Sequence, residues 1–241
     1  MHKIIPFQSI DSTNSYLKEN FKSLAEGDVC FSLHQTGGKG RRGRVWQDEG
    51  KDLLFSILFL EGLNEKLALA LPLLSGAAVA QTLVGLGFDP KIKWPNDVLL
   101  NDKKCCGILV EGVSETSIDA IISGIGINLN EESFPEDIAY KATSLHIQSG
   151  LTYDPKEVLS LFLKEFDELY EDYKRGGKRY LTLIRERFYL LGKEVYLNYH
   201  NENLSGSVEG IDDEGSLLLN DGRMVHHLIS GEVSLERTYK R

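Results

Sequence analysis

The hydrophobic pattern changes period along the chain, and those changes lay out the fold. Val29 to Gln35 (V-C-F-S-L-H-Q) alternates like a strand, and Asp52 to Leu60 (D-L-L-F-S-I-L-F-L) reads as a buried one. Lys66 to Leu86 is apolar most of the way round for the length of a helix, which predicts a buried helix. Pro72 is expected to mark its start or sit in its first turn, because deeper in it would remove a backbone hydrogen bond. Val98 to Glu111 is two apolar runs around Asn101-Asp102, a hairpin signal, and Ile118 to Ile127 is a further buried strand. That strand ends in Gly124-Ile-Gly-Ile-Asn128, where repeated glycine marks close approach of a ligand or another backbone.

Other stretches follow the helical period. Tyr16, Leu17 and Phe21 predict a short helix capped by Asp11 or Ser12. Val158, Leu161, Phe162, Phe166, Leu169, Tyr170 and Tyr173 place a longer one over Pro155 to Tyr173, capped by Asp154 or Thr152, with another over Tyr180 to Tyr189. From Gly192 the texture becomes short strands separated by turns such as Asp213-Glu-Gly and Asn220-Asp-Gly, the pattern of a small β-barrel module. The expected organisation is an α+β domain over 1–190 and a β module over 191–241. His226 and His227 carry no carboxylate or cysteine context in sequence and read as surface or packing residues.

Gln35 to Trp46 (Q-T-G-G-K-G-R-R-G-R-V-W) fits none of these periods. It packs four glycines with the cations Lys39, Arg41, Arg42 and Arg44 and ends on an indole. Glycine backbone can close on a ligand, guanidiniums match phosphate or carboxylate oxygens, and tryptophan offers a flat face. That combination suits a polyanion bearing an aromatic ring, of which ATP is the commonest. Gly38, Gly40 and Gly43 satisfy G-x-G-x-x-G, but a strand follows where the dinucleotide fingerprint needs a helix. Four glycines and mutually repelling cations also predict a loop that an anionic ligand orders.

Composition narrows the choices. The net charge is −9, so the basic loop is a local island and a broad nucleic-acid surface is disfavoured. With 241 residues and 41% hydrophobic content the chain can bury a full core. Its apolar stretches read as interrupted short of the roughly 20 residues that span a bilayer. Cys30, Cys105 and Cys106 lack metal-ligand spacing, and an odd cysteine count suits a reducing cytoplasm.

Taken together, Ser12-Thr-Asn14, Gln35 to Trp46, Lys93-Trp-Pro-Asn-Asp97 with Lys104-Cys-Cys-Gly-Ile-Leu-Val-Glu111, and Gly124 to Asn128 resemble the biotin–protein ligase family in order and spacing. The resemblance covers nearly the whole chain. It implies a mixed β-sheet catalytic domain flanked by helices, of the class II synthetase kind, followed by a small SH3-like barrel. It places biotin against Ser12, Thr13, Asn14, Gln35, Lys39, Gly40, Arg41 and Gly107, with Lys104 at the carboxylate. It places ATP among Arg42, Arg44, Trp46, Lys93, Asn96, Asp97 and Asn128, with Mg²⁺ accompanying it. Arg41, Lys104 and Asp97 are the implied catalytic set, Asp97 either orienting the acceptor amine or holding metal. The implied acceptor is a lysine of a biotin carboxyl carrier protein, and a homodimer is a further expectation. The family's loop begins G-R-G-R-R-G, whereas Lys39 here keeps the charge of the first arginine and loses its planar fork. Members that repress transcription carry a winged-helix domain before the Ser-Thr-Asn block. That block starts here at residue 12, so a ligase-only form without DNA or membrane binding is expected. The runner-up readings are a lipoate–protein ligase and a non-catalytic biotin or nucleotide sensor.

Overall fold

The structure is a computed structural model that describes residues 2–114, 117–199 and 202–235. The chain begins with β1 (Ile4–Phe7), α1 (Thr13–Asn20), β2 (Val29–Ser32) and β3 (Leu53–Phe59). Next come α2 (Glu65–Gly85), β4 (Lys91–Lys93), β5 (Asp97–Leu100), β6 (Lys103–Ser114) and β7 (Ile118–Ile127). Four helices follow: α3 (Glu136–Ala139), α4 (Leu145–Ser149), α5 (Pro155–Lys174) and α6 (Arg179–Glu186). The last strands are β8 (Glu194–Tyr199), β9 (Glu202–Ile211), β10 (Leu217–Asn220), β11 (Val225–Leu228) and β12 (Val233–Ser234).

The first seven strands form one sheet in the order β1-β2-β3-β7-β6-β5-β4. Only β1 and β2 run parallel among its neighbours, so the sheet is mixed. The hairpin between β5 and β6 turns at Asn101 and Asp102, both in the left-handed region (φ 47° and 62°), as a type I′ turn requires.

Period-two alternation divides the residues of β3 and β7 between two cores. Leu53, Phe55, Ile57 and Phe59 join Ile121, Ile125 and Ile127 in the large core with α2 and α5. Leu58, Ala120 and Ile122 face the other way, into a small core with Leu17 of α1. On the large-core side Phe55 meets Phe162 edge-on at 4.9 Å, and Phe162, Phe166 and Tyr170 stack along α5 at i, i+4 spacing.

Two expectations from the sequence are corrected here. α2 is a 21-residue helix with an 18-residue stretch of mean hydropathy 1.8, long and apolar enough to span a bilayer, yet 72% of that stretch is buried inside the protein. It is the core helix that the sheet packs on. Pro72 lies well inside α2 instead of at its start. Ala68 and Pro72 line an open groove, so the carbonyl that loses its hydrogen-bond partner lies on the wet side of the helix.

The second sheet is antiparallel, ordered β11-β10-β9-β8-β12, and among the described residues β11 and β12 do not pair to close it. Its apolar face (Val195, Leu197, Val208, Leu217, Leu219) belongs to the same hydrophobic cluster as Leu73, Trp94 and Leu181. Trp94 Nε1–H also donates to the Gly215 carbonyl at 3.0 Å. The histidines there do have carboxylate partners, contrary to the sequence reading. His226 Nε2 lies 2.8 Å from Asp221 and His227 Nδ1 lies 2.8 Å from Asp212, where turns bring them together.

Candidate functional site

The site lies on the α1 side of the large sheet, where glycine opens the strand surface. Cross-strand register aligns Ser56, Gly124 and Leu109 in one row and Leu54, Gly126 and Gly107 in the next. A Cβ at Gly124 would stand 2.2 Å from Asn14 Oδ1, and one at Gly126 would stand 2.9 Å from the Trp46 ring. One at Gly107 would meet Lys104 Nζ at 2.8 Å and Trp46 at 2.9 Å. Three missing side chains therefore let Asn14, Trp46 and Lys104 lie directly on the backbone.

Ser12 caps α1 by accepting the Ser15 N–H, which sets Thr13 and Asn14 in the first turn, buried against the sheet. Thr13 N–H and Oγ1–H both donate to Gln35 Oε1, at 2.6 and 3.1 Å. Ser56 Oγ lies 2.6 Å from Asn14 Oδ1 and 2.7 Å from Thr13 Oγ1, and its single proton serves one of them at a time. Asn14 Nδ2 donates to Glu111 Oε2 at 2.7 Å and to the Leu109 carbonyl at 3.3 Å. Burial alone would raise the Glu111 carboxyl, but hydrogen bonds from Lys18 and Asn14 hold it below its ordinary value. The groups that this end presents to the pocket, on Ser12, Thr13, Asn14 and Gln35, are neutral and polar and are held by hydrogen bonds.

The other end is cationic. Lys104 Nζ lies 2.7 Å from Asp97 Oδ1 and 5.7 Å from the centre of the Trp46 ring. Arg41 Nη1–H donates to Asn96 Oδ1 at 3.1 Å and to the Gly231 carbonyl at 2.8 Å. Burial lowers the Arg41 and Lys93 pKa values, and the charge of Asp97 opposes the shift at both. Asn96 also donates through Nδ2 to the Ile108 carbonyl, which ties the β4–β5 turn to β6.

The glycine-rich loop supplies its own order and finds a counter-charge in the second sheet. Gly40 N–H donates to Arg44 O at 2.7 Å, Trp46 N–H to Gly38 O at 3.0 Å, and Arg42 takes a left-handed φ of 57°. Arg42 and Arg44 both pair with Glu232. Glu232 thus supplies part of the counter-charge that the loop's cations call for. These pairs are half exposed or more on the arginine side, which limits each to about 0.2–1 kcal/mol.

One pocket thus collects Ser12, Thr13, Asn14, Gln35 and Lys39 with Gly40, Arg41, Trp46, Asn96, Lys104 and Gly107. Arg42 and Arg44 stand at its rim on Glu232, and Lys93 is half-buried within the electrostatic reach of Asp97 and Lys104. Asn128 does not line the pocket. Its Nδ2–H donates to the Thr143 carbonyl at 2.9 Å. Sequence reasoning did not single out Ser56, whose signal was one hydroxyl inside an apolar strand, or Glu111 as the partner of Asn14. Glu232 gave no local signal.

The chain as a whole is similar to known proteins. The biotin/lipoate A/B protein ligase family matches residues 6–128, and the biotin protein ligase C-terminal domain matches residues 190–236. The bifunctional ligase/repressor BirA of Escherichia coli is 32% identical over 96% of this chain and 73% of its own length. The biotin–[acetyl-CoA-carboxylase] ligase of Paracoccus denitrificans is 31% identical over 87% of this chain and 90% of its own. Among solved structures, biotin protein ligase from Aquifex aeolicus in complex with biotin and ATP superposes with a TM-score of 0.86. It is 34% identical and covers 96% of this chain and 97% of the other.

Proposed function

The chain belongs to the biotin/lipoate A/B protein ligase family, and from that premise we propose that it activates biotin with ATP and transfers it to a lysine of a biotin carboxyl carrier protein. The observation that carries this reading is the two-ended pocket. Neutral hydroxyl and amide groups on Ser12, Thr13, Asn14 and Gln35 face one end, and Lys104 and Arg41 hold the other across Trp46. A cyclic urea with a carboxylate tail matches both ends. Lipoate matches only one, since its dithiolane offers neither the carbonyl acceptor nor the N–H donors that a urea presents to these polar groups.

In the first step a biotin carboxylate oxygen attacks the α-phosphorus and pyrophosphate leaves. In the second, the acceptor amine attacks the acyl carbon, AMP departs, and the amine loses its proton. Two anions must meet in the first step, so alignment and charge neutralisation carry most of the catalysis. Lys104 and Arg41 neutralise the reacting oxygens, and Arg42, Arg44 and Lys93 bind the leaving phosphates. Mg²⁺ enters with the nucleotide as part of that substrate. Trp46 and Asn96 flank the nucleotide, Asn128 supports that end of the pocket through Thr143, and Asp97 orients Lys104 and then the acceptor amine. Residues 1–190 form the catalytic domain and 191–241 the small β domain, which contributes Gly231 and Glu232 to the rim. Three buried, unpaired thiols support a cytoplasmic location; burial pushes those of Cys30 and Cys105 up to about 12. The test is incubation with Mg-ATP, biotin and a carrier domain, followed by intact-mass measurement. One biotin on one lysine is expected, and an unmodified carrier would reject the reading.

Two milder variants probe the rim. Arg41→Gly removes one charge-assisted bond to the adenylate, worth about 1.5–3 kcal/mol, together with the contacts to Asn96 and Gly231 that aim the guanidinium. Adenylate should still form but escape roughly tenfold faster, read as labelling of lysines on an unrelated bystander protein. Labelling no higher than wild type, with adenylate still forming, would contradict the clamp. Glu232→Gln frees Arg42 and Arg44 for phosphate, so the KM for ATP should fall by about two- to fivefold, on the scale of exposed ion pairs. A rise in KM would show that Glu232 aids nucleotide binding instead.

A further inference from the structure

Asp48, Asp52 and Glu131 bring three carboxylate oxygens within 4.8 Å of one another beside the loop that ends in Trp46. Asp52 is 1% exposed, Glu131 is 4% exposed, and the side chain of Asp48 is fully covered. Backbone N–H groups fix the carboxylates. Asp48 accepts from Gln35 and Gly50, both at 2.7 Å, and Asp52 Oδ1 accepts from Leu129 at 3.1 Å. Asp52 Oδ2 and Glu131 Oε1 remain without a hydrogen-bond partner. Trp46 Nε1–H is also buried and unpartnered, facing Asp52 outside hydrogen-bonding geometry. Lys51, whose charge acts on Glu131, makes its ion pair with Glu132 at 3.6 Å. Three converging carboxylates with two orphaned oxygens repel one another unless a cation or protons stand between them.

We propose that Asp48, Asp52 and Glu131 form a site for a hard divalent cation, Mg²⁺ or Ca²⁺, separate from the metal that travels with the nucleotide. An all-oxygen donor set selects such ions over zinc or copper. His34 Nδ1, 3.0 Å from Asp48 Oδ2, is the outer partner that orients one ligand. The site connects to the pocket through backbone, since Asp48 holds the Gln35 N–H and Gln35 Oε1 receives Thr13. A bound cation would fix Asp48, and with it the polar end of the pocket.

Trp46 beside the site provides the readout. The full chain, treated with chelator and free of nucleotide, is titrated with Tb³⁺ while tryptophan is excited. Saturable emission at one equivalent is expected, displaced by Ca²⁺ or Mg²⁺, together with a higher melting temperature in excess cation. Glu131→Gln removes one ligand and should weaken Tb³⁺ binding by at least about tenfold, since even outer-shell losses cost that much. Asp52→Asn is the second variant should Glu131→Gln not fold. Emission unchanged in the variant, or a wild-type melting temperature that is the same in chelator and in excess cation near neutral pH, means that protons fill the cluster. Either result overturns the proposal.

Discussion

Gly124→Ala should abolish useful biotin binding, although it adds only one methyl group. The new Cβ would stand 2.2 Å from Asn14 Oδ1 and 2.9 Å from its Cγ, so the whole amide must move. Asn14 cannot turn aside without cost. Its nitrogen is committed to Glu111 and Leu109, its oxygen to Ser56, and it is 5% exposed. Displacing it leaves Ser56 and Glu111 short of partners and lifts the first turn of α1 off the sheet. We expect biotin affinity to fall at least about a hundredfold, near 2.7 kcal/mol, and stability to fall by about 1–3 kcal/mol from overpacking. Titration calorimetry with biotin and a thermal melt measure the two separately. Gly112→Ala is the control, because its Cβ meets nothing nearer than 4.0 Å. Unchanged biotin affinity in Gly124→Ala would contradict the close-packed floor.

The second large effect is at Lys104. Its ammonium lies 2.7 Å from Asp97 and beside the Trp46 face, at the end of the pocket that receives the carboxylate. Lys104→Gln keeps most of the side-chain length and removes the charge. If the ammonium stabilises charge that develops as carboxylate meets phosphate, adenylate formation should slow by about 10²–10³-fold. Folding stability should change by no more than about 1 kcal/mol, because the ion pair with Asp97 is partly exposed. Single-turnover adenylate formation at saturating biotin and ATP makes the measurement. A variant with normal turnover and only a raised KM for biotin would reduce Lys104 to a ground-state contact.

Much of the fold around this pocket was legible in the sequence, for physical reasons that can be named. Strands β3 and β7 fall within one residue of the apolar runs that predicted them, since a strand covered on both faces is apolar nearly throughout. The caps at Ser12 and Asp154 follow from side chains able to accept an exposed N–H. Gly124 and Gly126 do mark close approach, and the groups that approach are the Asn14 and Trp46 side chains instead of another backbone. Other features depend on contacts far apart in sequence. Glu232 meets Arg42 across 190 residues, and Ser56 gains its role only through pairing opposite Gly124. Asp221 and Asp212 lie in or beside turns that the sequence did signal, but their meeting with His226 and His227 depends on the register of β10 and β11. Pro72 sits mid-helix because one side of α2 stays wet, which apolar periodicity hides.

The most direct test of biotin activation is ATP–pyrophosphate exchange by the purified chain with no acceptor present. Exchange requires reversible adenylate formation, so it isolates the carboxylate end of the pocket from any acceptor. The reading predicts exchange with biotin, and exchange with lipoate or octanoate weaker by at least about a thousandfold, as unpaired polar groups in a pocket enforce. Equal exchange with lipoate, or none with biotin, would contradict it.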